Sequence, residues 1–207
     1  MACIEAVDVD GGGISLVSPA GVGEPLCGSG VGAEEMERLQ FTVGEGPCVD
    51  AIASGSPVLI DDLDAAAGTG LRERWAMFLP EIVKADIHAV FAFPIRIGAI
   101  SLGVVDLYRR APGRLEETSL AKILTTLDAL AVMILHMDGN PDDGLSDGQL
   151  GSMAVHRAAG MIMAQLDTTI GAALLRLRAA AYVEGSPIDE LARDVINRKR
   201  RFQKEKE

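Results

Sequence analysis

Short apolar runs separated by turn residues occupy the first half of the chain. The two longest runs are separated by Gly98, which predicts a tight hairpin of two strands. Pro94 lies inside the first of these runs, so we expect that strand to be an edge strand or to carry a bulge there. The predicted strands cover residues 13–18, 24–27, 58–60, 89–97 and 99–108.

Helical segments are predicted between these strands, at residues 33–40 and 48–53 and within 71–84. Residues 62–70 are rich in Asp, Ala and Gly, which predicts a loop. Strands and helices interspersed in this way predict an α+β domain, and we place its end at residue 137.

A longer helix is predicted at residues 116–136. Its apolar residues recur at steps of three and four and therefore share one face of the helix. This stripe suits two roles, because it can cover the domain's own sheet or form a dimer seam like a short coiled coil. The repeat is only about three heptads long, so we expect it to serve partly in packing and partly in a dimer contact.

Residues 138–148 are polar and rich in Gly, Pro and Asp, which predicts a linker. The remaining residues, 149–207, predict an all-α domain of three helices. The first covers 150–166, the second covers 169–182, and the third begins at residue 187.

Residues with preferred positions at helix ends mark these three helices. Thr168 is the predicted N-cap of the second helix, and Gly185 is predicted to end it. Ser186 is the predicted N-cap of the third helix, with Pro187 as its first helical residue.

Charge is distributed unevenly between the two predicted domains. Residues 152–207 carry ten Lys and Arg against seven Asp and Glu, a net charge of +3, whereas the rest of the chain carries nine against 23, a net charge of −14. This asymmetry predicts an anionic partner at the C-terminal end. Four consecutive cations, Arg198, Lys199, Arg200 and Arg201, concentrate the positive charge there.

Three small residues stand together in the first helix of the C-terminal domain. Ala158, Ala159 and Gly160 predict a flat surface that another group can approach closely, and His156 and Arg157 beside them can donate hydrogen bonds. Such a surface suits a nucleic-acid base. An equally weighted alternative is that Gly160 only lets a neighbouring helix pack closely.

The residue types that mark other functions are sparse. Cys3, Cys27 and Cys48 lack metal-ligand spacing and predict reduced thiols of a cytosolic protein. No secretory signal is evident, and the apolar runs are shorter than the roughly 20 residues of a membrane span, so we expect a cytoplasmic protein without membrane association. We expect no metal site and no cofactor.

Motifs in the C-terminal domain resemble the ANTAR family. They are the segment 156–163, the Ala- and Leu-rich segment 172–181 with Arg176 and Arg178, and the segment 191–196. ANTAR domains are three-helix RNA-binding modules used for transcription antitermination in bacteria. The resemblance implies that this chain binds a pair of adjacent RNA hairpins, and that its first helix and nearby cations contact the RNA. Holding the RNA in this two-hairpin form would prevent an overlapping terminator hairpin from folding.

Motifs in the N-terminal domain resemble the GAF family, in the segments 44–48, 57–63, 90–96 and 103–109. This resemblance implies an antiparallel sheet flanked by helices, acting as a sensor that regulates the second domain. The order GAF then ANTAR resembles actinobacterial two-domain regulators. Since two hairpins require two ANTAR modules, a homodimer is expected, either constitutive or induced by RNA.

The resemblance carries over to particular residues. The expected RNA contacts are made by His156, Arg157, Ala159, Gly160, Arg176, Arg178, Arg198, Lys199, Arg200 and Arg201. One of Arg176 and Arg178 is expected to face RNA and the other not, because they lie two positions apart on a helix. The candidates for a small-molecule ligand site in the GAF domain are Cys48, Trp75, Phe91 and Phe93, although apolar aromatic residues in a small domain more often form a plain core.

Two alternative functions compete with RNA binding. Some GAF domains reduce free methionine sulfoxide, with Cys48 as a candidate nucleophile and Cys27 as its resolving partner. A DNA-binding regulator is the other alternative, because three small helices with a basic end also suit a major groove. We favour RNA binding and a protein that is not an enzyme, since an enzyme would leave the basic C-terminal domain unexplained.

Overall fold

The structure is a computed structural model of the 207-residue chain, and it describes residues 7–18, 21, 23–30, 32–136 and 147–203, without the side chains of 147–152. The chain divides into two compact units, Met1–Pro141 (unit 1) and Asp142–Glu207 (unit 2). Residues 138–146 of the predicted linker lie outside the described residues. The last two residues of that predicted linker, Asp147 and Gly148, already belong to a helix.

Among the described residues, five strands pair antiparallel into a single sheet in unit 1. They are β1 (Gly11–Val17), β2 (Gly23–Ser29), β3 (Val58–Ile60), β4 (Ala89–Ile97) and β5 (Ile100–Arg109). Their order across the sheet is β2-β1-β5-β4-β3, so β5 is the central strand. The hairpin predicted between β4 and β5 is confirmed, and Gly98 in its turn has a left-handed φ of 59°.

The side chains of β5 alternate between the two faces of the sheet, and both faces are covered. Val104, Asp106 and Tyr108 lie on one face, which we call face A. Val105 and Leu107 lie on the other, which we call face B. A strand buried on both faces must be apolar almost throughout, and within the buried part of β5, residues 103–108, Asp106 is the one charged residue.

Five short helices cover face A. Trp75 and Phe78 pack with Tyr108 in one apolar cluster, and Cys48 packs against Ala92 in a second, smaller cluster. The helices are α1 (Ala33–Val43), α2 (Pro47–Ser54), α3 (Leu63–Ala66), α4 (Arg72–Arg74) and α5 (Phe78–Lys84).

The loop predicted at residues 62–70 is wrong, because most of this segment is helical. Asp62 caps α3 through its carboxylate, and the chain continues as helix until a kink at Thr69 and Gly70, where the backbone is not helical. Leu63 and Leu71 are buried in the core of face A, and this anchoring outweighs the glycines that suggested a loop.

Face B is covered by the long helix α6 (Glu117–His136). Ile123 and Ala131 of this helix are buried against Phe91 and Phe93 of β4. The predicted role of the apolar stripe in covering the sheet is therefore confirmed. By length and composition alone α6 is also apolar enough to cross a membrane, a criterion that core helices of folded domains meet as well.

Pro94 lies in a strand that pairs on both sides, so the prediction of an edge strand is wrong. The structure tolerates the proline because β3 is only three residues long. Its pairing with β4 ends where Val58 meets Ala92, short of Pro94, so no ladder partner from β3 requires the missing N–H. The predicted irregularity is present immediately afterwards, between Ile95 and Arg96.

Unit 2 is a bundle of three helices, α7 (Asp147–Leu166), α8 (Ile170–Glu184) and α9 (Ile188–Ile196). Each helix contributes apolar side chains to a common core. Ile162 of α7, Leu174 and Leu177 of α8, and Leu191 and Val195 of α9 are almost completely buried.

The helix ends of unit 2 match the prediction only in part. Gly185 ends α8 with a left-handed φ of 61°, as predicted. The N-cap of α8 is Thr169 rather than Thr168, and its hydroxyl accepts the N–H of Ala172 at 3.3 Å. The third helix begins after Pro187, which is itself the N-cap, so Ser186 does not cap it.

Candidate functional site

A group of polar side chains lies in the middle of the apolar layer on face A. Ser15 comes from β1, Asp106 from β5, Glu37 and Gln40 from α1, and Cys48 of α2 borders them. We call these five residues the buried polar cluster, because each is at most 3% exposed. Charged residues are almost never buried this completely without a specific reason.

Two hydrogen bonds hold the cluster in place. The Ser15 hydroxyl donates to Oε2 of Glu37 at 2.6 Å, which ties α1 to the sheet. The backbone N–H of Cys48 donates to Oε1 of Gln40 at 2.8 Å, which satisfies a donor in the first turn of α2. The cluster therefore links the sheet, α1 and α2.

Two glycines make room for the cluster. A Cβ atom at Gly13 would lie 2.6 Å from Cγ of Glu37, and a Cβ atom at Gly46 would lie 2.6 Å from Oε1 of Gln40. Both distances are shorter than van der Waals contact allows. Side chains are thus missing from the two backbone positions where the long polar side chains of α1 need space.

The remaining polar atoms of the cluster interact with one another. The carboxyl groups of Glu37 and Asp106 are paired, and Asp106 also interacts with the Cys48 thiol and the Gln40 amide. Burial of two carboxyl groups costs them their hydration, which such pairing repays only in part. The cluster therefore stabilises the unit less than an apolar core of the same shape would.

Burial also changes the acidity of the two carboxyl groups. Desolvation raises the pKa of Glu37 to about 7, against the weaker opposing effect of its hydrogen bond from Ser15. Desolvation, followed by the nearby negative charge of Glu37, raises the pKa of Asp106 well above its ordinary value. At neutral pH the pair therefore retains at least one proton.

The four residues predicted to bind a ligand do not lie together. Phe91 and Phe93 pack against α6 on face B, whereas Cys48 and Trp75 lie on face A. All four are at most 3% exposed. Trp75 donates from its indole nitrogen to Oδ2 of Asp50 at 2.8 Å, which is a structural role. These residues form the apolar core, and a ligand site composed of all four is not supported.

The cysteines are poorly placed for thiol chemistry. Burial is the main reason that the pKa of Cys48 is raised well above its ordinary value, so its reactive thiolate form is disfavoured. Cys27 lies opposite Ile14, which belongs to the apolar layer of face B, whereas Cys48 covers face A. Both thiols are free, and no disulfide joins them.

The small residues of α7 in unit 2 do not form the flat surface that the sequence predicted. Ala158 and Ala159 are 0% exposed and face the core of the bundle, so Ala159 is not on the surface where RNA would contact it. Gly160 is partly exposed, and a Cβ atom there would meet no atom within 4 Å. Close packing by a neighbouring helix of the bundle therefore does not explain this glycine.

The charged candidates on α7 and α8 have different environments. Arg157 is exposed and His156 is partly buried. Arg176 is exposed, whereas burial lowers the pKa of Arg178, which is only partly exposed. Arg176 is therefore the better placed of the two for contact with RNA, and both arginines already engage other groups within the protein.

The basic segment after α9 folds back along the bundle. Lys199 lies 3.6 Å from Asp194, and Arg200 lies 2.6 Å from Glu184. The backbone N–H of Phe202 donates to the Gln165 side chain of α7 at 2.9 Å. Two of the four predicted cations thus hold the segment in place.

The other two cations of this segment, Arg198 and Arg201, are exposed. Neither forms an ion pair within residues 147–203, the part of unit 2 that the structure describes. Their charges are therefore available to an anionic partner, unlike those of Lys199 and Arg200.

Comparison with known proteins gives matches among solved structures alone. No protein-family model matches the chain, and no curated protein matches it. A GAF domain/HD domain protein from Geobacter sulfurreducens aligns with a TM-score of 0.52 at 14% identity, covering 69% of this chain and 90% of that one. The GAF domain of an Acinetobacter phosphoenolpyruvate-protein phosphotransferase aligns with a TM-score of 0.51 at 16% identity, covering 68% and 81%.

A third alignment, to the GAF domain region of another Geobacter sulfurreducens protein, has a TM-score of 0.51 at 20% identity and covers 65% of this chain and 86% of that one. The matched share of this chain corresponds to the length of unit 1. Unit 1 has the GAF-domain fold. Identities this low establish the fold alone, and they assign neither a ligand nor an activity.

The buried polar cluster of the GAF unit was not predicted from the sequence. One signal was present, because Asp106 is the single carboxylate within the long apolar run of β5. Glu37 and Gln40 gave none, since polar residues on a helix next to Glu34 and Glu35 ordinarily face solvent. Only the position of α1 on the sheet reveals that these two side chains point inward.

The raised pKa of Glu37 predicts that the GAF unit loses stability as pH rises. The unfolded chain ionises this group near its ordinary pKa of about 4.3, whereas the folded chain does so only near 7. As pH rises between these two values, ionisation of this group should therefore lower the free energy of unfolding by on the order of 3 kcal/mol. Glu37→Gln should remove most of that fall and raise the urea midpoint at pH 8.

The matched control is Glu34→Gln, an exposed carboxylate on the same helix. It should leave the difference in urea midpoint between pH 5 and pH 8 unchanged. An equal pH dependence in wild type and Glu37→Gln would show that Glu37 ionises normally in the folded protein.

Proposed function

We propose that this chain is an RNA-binding transcription antiterminator, in which an ANTAR-type module formed by unit 2 is regulated by the GAF unit. The observation that carries this proposal is Gly160. Glycine inside a helix costs roughly 1 kcal/mol relative to alanine, and packing within the bundle gives no compensation for it. An external group that approaches the backbone closely would explain the residue.

Exposed cations near this position suit an RNA partner. Arg157 precedes Gly160 by about one helical turn, and Arg198 and Arg201 lie on the segment that returns to α7 through Phe202. Proteins recognise RNA sequence mainly at unpaired loop bases, while cations contact the phosphates. A bare helix surface beside arginines offers both kinds of contact.

The distribution of charge supports the same partner. The GAF part of the chain is strongly acidic, and the described part of unit 2 carries the exposed arginines. An RNA molecule is therefore repelled by one part of the chain and attracted by the other. Binding of two adjacent hairpins would hold the transcript in a form that excludes the terminator, so that transcription continues.

We further propose that the protein acts as a homodimer in the cytoplasm, without a cofactor or enzymatic activity. Two hairpins require two RNA-binding units. The sheet-covering helix α6 exposes a second apolar stripe with Leu124, Val132 and Leu135, each about half exposed or more. Pairing of these stripes between two copies would set the spacing of their RNA-binding units, and the GAF unit would change that spacing in response to a small molecule.

The alternative thiol enzyme receives less support. A cysteine nucleophile needs an accessible thiolate. Cys48 is 3% exposed and has a raised pKa, and Cys27 lies on the other face of the sheet. We therefore favour a binding protein over a cysteine-dependent reductase.

Substitution of Gly160 by valine tests the proposed RNA surface. The side chain would project into open space, so the thermal unfolding midpoint should change little. Affinity for a two-hairpin RNA should fall at least tenfold, because the added methyl groups would keep a base away from the helix backbone. Fluorescence anisotropy with labelled RNA measures the affinity, and differential scanning calorimetry measures the stability.

Gly171→Val is the matched control, because Gly171 is also a helical glycine whose added Cβ would meet no atom within 4 Å. It should preserve RNA affinity. Equal affinities of wild type and Gly160→Val, or a large loss of stability in Gly160→Val with intact affinity, would contradict the proposed interface.

The proposed dimer seam on α6 gives a separate prediction. Leu124→Glu combined with Leu135→Glu should convert a dimer to a monomer, because carboxylates facing each other across an apolar seam repel and lose solvation. Both positions are exposed in the single chain, so the fold should survive. Sedimentation equilibrium in the presence of RNA measures the change, and Ala129→Glu on another exposed part of α6 is the control. A wild-type complex containing one protein chain per two-hairpin RNA would contradict the dimer.

A further inference from the structure

The segment that follows α9, residues 197–203, is held against the bundle at several points. Backbone N–H groups at its start donate to carbonyls in the last turn of α9, at 2.9–3.2 Å. The side chain of Arg200 then lies 2.6 Å from Glu184 of α8. The N–H of Phe202 donates to the Gln165 side chain of α7. All three helices of unit 2 therefore anchor this basic segment, so it is not a free tail.

Arg198 of the basic segment has a backbone conformation that arginine rarely adopts. Its φ is 61°, in the left-handed region, and it directly follows Asn197, the C-cap of α9. Helices often end with a left-handed residue, but that residue is usually glycine, because a Cβ atom there is strained. The same chain uses glycine in this way after three other helices, at Gly44, Gly55 and Gly185. Arginine is therefore retained after α9 at a cost to the stability of the bundle.

Contacts within unit 2 do not offset this strain. The side chain of Arg198 is exposed and forms no ion pair within residues 147–203. A cation beyond the end of α9 would complement the helix dipole, but Lys199 already supplies one, beside Asp194. Strained residues of this kind are concentrated at sites that bind ligands. A partner that requires a positive charge at this point would explain the arginine.

Phosphate groups of RNA suit the two exposed guanidinium groups of the segment, Arg198 and Arg201. The planar guanidinium group can donate two parallel N–H bonds to a phosphate. The segment meets α7 at Gln165, about 7.5 Å along the helix axis from Gly160, at 1.5 Å per residue. An RNA whose loop bases contact the helix at Gly160 would therefore bring its backbone close to the segment.

Glu184 is out of place beside such a surface, because a carboxylate repels phosphates. Its carboxylate lies 2.6 Å from Arg200, which directly precedes Arg201 in the chain. A segment that is already ordered loses less conformational entropy when a partner binds than a free tail does. The ion pair would therefore favour RNA binding through the order that it gives to the segment.

We propose that the basic segment is a preformed binding surface for RNA phosphates. Arg198 and Arg201 contact the phosphates, and Glu184 is a positioning residue that acts through Arg200. This inference rests on the proposed RNA-binding function and identifies the surface that holds the RNA backbone, next to the bare helix surface at Gly160 that receives the bases.

Arg198→Gly tests the proposal because it should change stability and affinity in opposite directions. Glycine relieves the strained φ, so the thermal unfolding midpoint should rise. Affinity for a two-hairpin RNA should fall at least fivefold, and the slope of log affinity against log salt concentration should become shallower by about 1, because one phosphate contact is lost. Arg198→Lys keeps the charge and should retain affinity within threefold. Calorimetry and fluorescence anisotropy of the full chain measure these changes.

Glu184→Gln tests the positioning role. If charge alone determined binding, this variant would bind RNA more tightly, because a negative charge is removed and Arg200 is released. We expect affinity at least threefold weaker, together with faster hydrogen exchange of the Phe202 amide in the protein without RNA. Glu190→Gln is the matched control, since it removes an exposed carboxylate of α9 and should not weaken binding.

The outcomes separate this proposal from the proposed function. Wild type that does not bind the two-hairpin RNA would overturn both. Wild type that binds, with affinity lost in Gly160→Val but unchanged in Arg198→Gly, would overturn the phosphate surface alone. Equal or tighter binding by Glu184→Gln, or unchanged exchange of the Phe202 amide, would overturn the positioning role of Glu184.

Discussion

Burial of the central strand β5 on both faces is the constraint on which the rest of the GAF unit depends. Val105 and Leu107 require the cover of α6, and Tyr108 and Val104 require the helices of face A. Asp106 lies in the same buried strand, so its carboxyl group must be accommodated by the layer above it. The position of α1, with Glu37 and Gln40 directed at the sheet, and the glycines opposite them follow from that need.

The pattern of apolar residues was sufficient to predict most helices and strands, but not to predict how they pack against each other. All five strands and the long helix α6 were predicted within a few residues, because alternation and three- or four-residue steps depend on burial of one face. The helical segment after Asp62 was missed, since its glycines suggested a loop while Leu63 and Leu71 anchor it in the core. Local composition does not reveal such anchoring.

For the candidate sites as well, the sequence identified residue types but not their surroundings in the folded protein. The sequence identified the cations of unit 2, but not that Lys199 and Arg200 are used in ion pairs while Arg198 and Arg201 remain exposed. It grouped Ala159 with Gly160, although Ala159 is buried in the bundle and Gly160 is partly exposed. In the GAF unit it selected aromatic residues that are core, because a sequence does not show which face of a sheet each one occupies.

We propose that unit 2 recognises the loops of an RNA rather than its charge. Fluorescence anisotropy of a labelled two-hairpin RNA, a loop-scrambled RNA and duplex DNA, each at two salt concentrations, tests this claim directly. Binding through charge alone weakens steeply with salt and ignores the loops. We predict a preference for the intact loops that persists at the higher salt concentration. Equal binding of all three, lost together as salt rises, would contradict specific RNA recognition.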